Sequence, residues 1–263
     1  AETMKDILEE ILAKKRAEVA QAKLQTPLNA REEACAPDAR RSIQESLQAS
    51  CSGIIAEFKR KSPSKGWIKA DGQATVIPAA YAEAGAAALS ILTDEPYFGG
   101  QLDFIRQARP LTDCPILRKD FIIDEYQLLE ARMAGADAVL LIAAALSLEE
   151  CANLMHKAHE WGLEVLLEIH GEDELPYADL HPDMLGVNNR HLGTFHTDVA
   201  NSFRIASLLP KNQLLVSESG LSAPSTVRAL REAGFRGFLI GETFMRQHDP
   251  AAALRDFIKE VER

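Results

Sequence analysis

Ile54-Ile55-Ala56-Glu57-Phe58-Lys59-Arg60-Lys61-Ser62-Pro63-Ser64-Lys65-Gly66 runs from a short apolar segment straight into a basic loop punctuated by Ser, Pro and Gly. Glu57 and Lys59 are two apart, so on a strand their side chains point to the same side. A carboxylate and an ammonium on the inward side of an apolar strand are costly unless paired or used. Lys59, Arg60, Lys61, Lys65 and Lys69 follow with no acid among them, in a chain whose formal net charge is -10. Such a local reversal of sign reads as a place to receive an anion.

Outward from this stretch the same rhythm repeats. Apolar runs recur at Ile54–Phe58, Ala88–Leu92, Pro115–Arg118, Ala138–Ile142, Glu164–Glu168, Met184–Asn188, Leu214–Glu218 and Gly237–Ile240. Helical patterns separate them at Thr75–Glu83, Leu102–Arg109, Glu125–Ala134, Ser147–Trp161, Glu172–Leu180, Val199–Leu209, Ala223–Glu232 and Ala251–Val261. Runs that are apolar throughout belong to strands buried on both faces, hence to a parallel sheet. Strand–helix repetition of this kind predicts an α/β protein, a closed (β/α)8 TIM barrel. An open doubly wound sheet is the alternative, but no GxGxxG follows the first strand and eight units suit closure. Residues 1–263 read as a single domain, of which 1–52 form an N-terminal helical extension. Within it, Asp6–Lys23 places Ile7, Leu8, Ile11, Leu12 and Val19 at helical spacing, and a shorter helix is expected at Ser42–Ala49, after Pro37.

An apolar fraction of 46% is ample for one core, and the acidic balance argues against nucleic acid or an anionic membrane as the general partner. No apolar run approaches the ~18 residues of a membrane span, and no secretory pattern opens the chain, so a cytoplasmic location is expected. Cys35, Cys51, Cys114 and Cys151 are scattered without a CxxC pair and read as small buried residues in a reducing compartment. His156, His159 and Glu160 lie on one amphipathic helix and read as a surface cluster; no metal site is expected.

In such barrels the chemistry sits where strands end and βα-loops begin. Here those ends carry Glu57 and Lys59, the loop Thr93–Gly100, Lys119, Glu168 with His170, Asn188 with Arg190, Glu218 with Ser219, and Gly241 with Glu242. A barrel built for stability alone has no reason to gather Lys, Glu, Asn and Arg at one rim. The loops after the last two strands are the usual phosphate site of this architecture. Ser219-Gly220, with Ser222 as expected N-cap of the next helix, and Gly241 before Thr243-Phe244-Met245 suit close approach of backbone N–H groups to an anion. Substitutions at Gly220 or Gly241 are expected to harm binding more than chemistry.

The strings IIAEFKRKSPSKG, ILRKDFIID, LLEIH, GVNNR, VSESG and FLIGE, in this order and spacing, resemble the indole-3-glycerol phosphate synthase family of tryptophan biosynthesis, and the likeness covers nearly the whole chain. It implies a carboxy-lyase that converts 1-(2-carboxyphenylamino)-1-deoxyribulose 5-phosphate to indole-3-glycerol phosphate, releasing CO2 and water without a cofactor. The implied catalytic group is Lys119, Glu168, Lys59, Glu57, Asn188 and Ser219. Lys119 matches the acid for ring closure and Glu168 the base for dehydration. Lys59 serves either at the phosphate end or as the acid of dehydration, and Glu57 is a supporting carboxylate. The implied binding group is Ser62 and Arg190 with Asn188 for the substrate's carboxylate, and Phe98, Phe121 and Leu141 for its ring. Glu218, Gly220, Gly241 and Glu242 complete it around the phosphate.

Two departures from the family pattern stand out: His191 follows Arg190 where Asp is common, and Glu242 stands where some relatives carry Ser. The expected partner is a small phosphorylated molecule bearing an aromatic carboxylate, together with functional association with other tryptophan-pathway enzymes. A phosphoribosyl-compound isomerase and a non-catalytic binder of a phosphorylated ligand are the alternatives; neither needs the Glu57/Lys59/Lys119/Glu168 set. The basic loop at 60–67 is expected to close over the substrate as a lid.

Overall fold

A computed structural model describes residues 4–27, 29, 41–191 and 196–263. Among them, eight strands close into a parallel barrel: β1 (Ile54–Phe58), β2 (Ala88–Leu92), β3 (Ile116–Lys119), β4 (Ala138–Ile142), β5 (Glu164–Ile169), β6 (Met184–Asn188), β7 (Leu215–Glu218) and β8 (Phe235–Ile240). β1 pairs with both β2 and β8, which seals the ring. The expected runs agree with these strands to within two residues at either end. The expected helix at Glu172–Leu180 is instead a run of 3-10 turns with Pro176 inside it, because proline withholds the N–H an α-turn needs.

Strand period two divides the core into two layers. Ile55, Ala88, Leu117, Ala138, Leu140, Ile142, Leu166, Met184, Val216 and Leu239 fill the barrel interior. Ile54, Ala56, Phe58, Leu89, Ile91, Val139, Leu141, Val165, Leu167 and Phe238 face outward and are covered by the helices. Glu57, Lys119, Glu168 and Glu218 each stand two residues beyond an interior position, so the same alternation aims them into the mouth. Charge accumulates inside because geometry leaves those side chains nowhere else to go.

The N-terminal extension touches both ends of the barrel. Helix α1 (Met4–Gln25) lies against the mouth, while α2 (Ile43–Ala49) plugs the floor with Ile43 and Leu47. The Glu164 carboxylate caps α2, accepting from Ile43 N at 2.6 Å and from Ser42 Oγ at 2.7 Å. Pro37 and Cys35 lie outside the described residues. Cys151 is buried as expected, and burial pushes its thiol up to about 11, but Cys51 is exposed, contrary to expectation, in the turn between α2 and β1.

Gly53 has φ +69°, and a Cβ there would meet Arg236 O at 2.0 Å. Gly53→Ala is therefore expected to destabilise the fold by about 2–4 kcal/mol, combining left-handed strain with overpacking. In a chain of this size that lowers Tm by roughly 5–15 °C. Because Gly53 sits at the floor, kcat and KM of the folded variant should be unchanged. A melt with unchanged Tm would refute the packing argument.

Candidate active site

At the mouth, Lys119 Nζ lies 3.0 Å from Glu57 Oε2, and Lys59 Nζ lies 3.7 Å from Glu57 Oε1. Ser90, two residues past the interior position Ala88, donates to Glu57 Oε2 at 2.8 Å. Burial works against charge on Glu57, but Lys119, Lys59 and Ser90 prevail and hold its carboxyl below the usual range. The two lysines differ. Burial favours discharge of Lys119, yet Glu57, Glu218 and Glu168 outweigh it and hold the ammonium above its ordinary pKa. Lys59 is pulled below its ordinary pKa by burial, helped by Lys119 and Arg190 and opposed by Glu57.

Across the barrel, Glu168 and Glu218 are both buried. Burial, with the Glu168 charge beside it, pushes the Glu218 carboxyl well above the usual carboxylate range. A Cβ at Gly186 would stand 2.3 Å from Glu218 Oε2, so the glycine makes room for this carboxyl. His170 Nε2 is 3.4 Å from Glu168 Oε2, and His170 Nδ1 is 3.5 Å from Glu174 Oε1. Burial opposes its charge, but Glu174 and Glu168 raise its pKa. Asn188 Oδ1 accepts from Ser219 Oγ at 2.8 Å and from Arg190 N at 3.0 Å, which fixes the ends of β6 and β7 together.

Two cavities open side by side here. One is largely apolar, walled by Phe98, Phe121, Leu92, Leu140 and Ile142, together with Leu8 and Ile11 of α1. The Phe98 and Phe121 ring centroids are 6.0 Å apart. The other is lined by Gly220, Ser222, Gly241, Glu242, Thr243, Lys65 and Arg246. Lys59, Lys119, Asn188, Arg190 and Ser219 border both. The result is one cleft with an apolar end, an anion-suited end and two ammonium groups between.

Leu141 is not in this cleft. It faces the outer layer, and its neighbours Leu140 and Ile142 take the inward positions, so the expected slot residue was one place out of register. Ser222 is not a helix cap; the helix begins at Pro224 with Ala223 at the N-cap and no side-chain cap bond. Gly241 does precede a short helix, Glu242–Met245, in which Phe244 N and Met245 N donate to Gly241 O at 3.1 and 2.9 Å. Ser62 is buried in a small hairpin, Lys61–Ser62 against Gly66–Trp67, where its Oγ accepts from Lys65 N at 3.2 Å. The hairpin tip meets Arg190, whose Nη1 donates to Ser64 Oγ at 2.7 Å. Sequence reasoning overlooked Ser90, Arg246 and the α1 residues as parts of the site, and named His170 and Lys65 only as a strand-end residue and a member of the basic run. Strand parity signals Ser90; nothing local signals Arg246 or the α1 residues. The histidines on the amphipathic helix face carboxylates, His159 Nε2 to Asp183 at 2.7 Å and His156 Nε2 to Glu160 at 3.1 Å.

A barrel of similar shape is 3-hexulose-6-phosphate synthase from Salmonella typhimurium, with TM-score 0.62 and 15% identity over 80% of this chain and 98% of that one. At that identity the likeness speaks to fold alone. A family model described as indole-3-glycerol phosphate synthase matches residues 8–257. An indole-3-glycerol phosphate synthase from Bacteroides thetaiotaomicron is 59% identical over 260 residues, covering 98% of this chain and 100% of its own. Another from Polaromonas sp. is 44% identical over 257 residues, covering 95% and 97%. With the family model spanning residues 8–257 and relatives of this identity, the chain belongs to the indole-3-glycerol phosphate synthase family.

Proposed function

We propose that the cleft binds 1-(2-carboxyphenylamino)-1-deoxyribulose 5-phosphate with its benzene ring at the apolar end and its phosphate at the Gly220/Gly241 end. The observation that carries this reading is the shared border: Lys59 and Lys119 line both cavities, where the sugar's ketone and hydroxyls would lie. A substrate with a ring at one end and a dianion at the other fits that order and not its reverse.

In ring closure the aromatic carbon attacks the ketone carbon, and the ketone oxygen becomes an alkoxide that needs a proton. Lys119, kept charged by Glu57, stands at the junction to supply it. Loss of CO2 then restores unsaturation, and the new hydroxyl must leave as water while the ring carbon loses a proton. Glu168 is the base for that proton. Lys59, whose ammonium burial has destabilised, gives its proton up more readily and suits the departing hydroxyl. Arg190, Asn188 and Ser62 hold the carboxylate; the guanidinium contributes a planar fork. Ser219 orients Asn188, and burial with the neighbouring Glu168 pushes the Glu218 carboxyl well above the usual carboxylate range. At the phosphate, Lys65 and Arg246 offset Glu242, which takes the place of a hydroxyl.

The free thiols Cys51, Cys114 and Cys151 are consistent with a reducing cytoplasm, where this reaction sits among other steps of tryptophan biosynthesis. No helix among the described residues is long and apolar enough to cross a membrane. Association with neighbouring pathway enzymes is part of the same reading, and co-purification from a lysate of the source cell tests it.

Lys119→Met keeps the apolar stem and removes the acid. Turnover, followed by indole absorbance, is expected to fall by about 100-fold or more, with indole-3-glycerol phosphate still binding. Retention of more than about a tenth of the activity would count against the role.

Gly220 and Gly241 are expected to behave differently. A Cβ at Gly220, which has φ +76°, would meet Thr197 Cγ2 at 2.7 Å, away from the reacting groups. Gly220→Ala should raise KM by about tenfold while changing kcat by less than about threefold. At Gly241 a Cβ would stand 3.0 Å from Glu57 Oε1, so Gly241→Ala should lower kcat as well. Steady-state kinetics of the pair checks both; equal effects on kcat would overturn the distinction.

A further inference from the structure

Helix α1 presents Leu8, Ile11, Leu12, Lys15 and Val19 along one stripe, and Lys15 occupies a place where the stripe calls for an apolar residue. Its side chain is nevertheless 4% exposed. The ammonium lies 2.7 Å from Asp94 Oδ1 and 2.9 Å from Asp120 Oδ1, both carboxylates buried, and 3.0 Å from Glu18 Oε2 at the surface. Burial opposes a charged Lys15, but Asp120 and Asp94 raise its pKa far above the ordinary value.

These two carboxylates are structural pivots of different loops. Asp94 follows β2 and caps the turn Glu95–Phe98, its Oδ2 accepting from Tyr97 N at 3.0 Å. Asp120 follows β3; its Oδ1 accepts from Phe121 N at 2.7 Å, and its Oδ2 accepts from Thr93 Oγ1 at 2.6 Å and Arg118 Nη2 at 3.3 Å. Phe98 and Phe121 are thus each one short, rigid step from a carboxylate that Lys15 holds. Without the cation, Asp94 would lose the ion pair that offsets its burial and face Asp120, which would keep Arg118 alone.

We propose that Lys15 is a positioning residue for the synthase reaction: its ammonium bridges the loops after β2 and β3 and thereby sets the placement of the Phe98–Phe121 pair that walls the end of the cleft where the substrate's aromatic ring binds. The same helix delivers Leu8 and Ile11 to the lining of that cavity, so seating α1 and shaping the slot are one event. Lys119 is held from inside the barrel by Glu57, so Lys15 acts on ring binding and leaves the proton transfers alone. This inference rests on the orientation of the substrate proposed above.

A helper that merely glues α1 down would act differently, and the protein contains a control. Tyr126 Oη donates to Ala22 O at 3.0 Å and Thr26 O at 2.7 Å, tethering the far end of α1 without touching the slot. Lys15→Met and Tyr126→Phe should be compared by Tm, by kcat and KM for the carboxyphenylamino substrate, and by inhibition with inorganic phosphate. Lys15→Met is expected to raise KM about tenfold or more, with kcat within about threefold and the phosphate inhibition constant within about twofold. Tyr126→Phe should lower Tm and leave KM within about twofold. The proposal fails if Lys15→Met leaves KM unchanged, if phosphate inhibition weakens in step with KM, or if Tyr126→Phe reproduces the KM change. Should Lys15→Met not fold, Lys15→Arg keeps the charge but shifts its centre, and must give the same KM-selective loss. Turnover by the unaltered protein tests the substrate reading separately, since its absence would remove that reading whatever the variants do.

Discussion

Glu57 and Lys119 stand 62 residues apart in sequence and 3.0 Å apart at the mouth of the barrel, with Ser90 from the strand between them completing the contact. Pairing of β1 and β3 with β2 on a curled sheet brings them together, and their opposite charges make ionised groups tolerable inside the barrel. The interior holds carboxylates at Glu57, Glu168 and Glu218 against ammoniums at Lys59 and Lys119. Burial and Glu168 push the Glu218 carboxyl well above the usual carboxylate range, which lessens the cost of a third carboxylate there. The resulting field keeps Lys119 charged while burial weakens Lys59, so two identical side chains become two different acids.

Stability and chemistry are divided between the barrel's ends. At the floor, α2 plugs the interior with Ile43 and Leu47, and Arg109 pairs with Asp137 at 2.8 Å while bonding three backbone carbonyls. These contacts hold the ring closed and touch no cleft residue. At the mouth the chain accepts buried charge and close glycine packing, features that serve binding more than folding. The N-terminal extension spans the division, since α2 supports the floor and α1 walls the apolar end of the cleft.

Legibility followed periodicity. Strand positions were readable because parallel strands buried on both faces leave continuous apolar runs. Glu57, Lys59, Lys119, Glu168 and Asn188 were readable because strand ends in such a barrel point to one rim. Leu141 shows where this ran out: within Val139-Leu140-Leu141-Ile142 every residue is apolar, so nothing in composition says which alternate set faces inward. Only the register of β4 with β5, pairing Leu141 with Leu167 on the outer layer, decides it. Ser222 and Pro176 mark a similar limit, where a local signal for a cap or a helix yielded to the path the chain must follow between strands.

By itself the sequence determined the strand–helix alternation, the closed barrel and the residues that reach its mouth. All of these depend on spacing along the chain, which periodicity and charge make visible; the chemistry was implied by the resemblance of its strand-end strings to one family. Tertiary structure alone decided that Lys15 reaches Asp94 and Asp120, that Leu8 and Ile11 wall the cleft, and that Gly186 and Gly241 clear space for Glu218 and Glu57. Those relations join segments tens to more than a hundred residues apart. A contact of that kind depends on where a helix docks and how neighbouring strands register, and no local pattern encodes either.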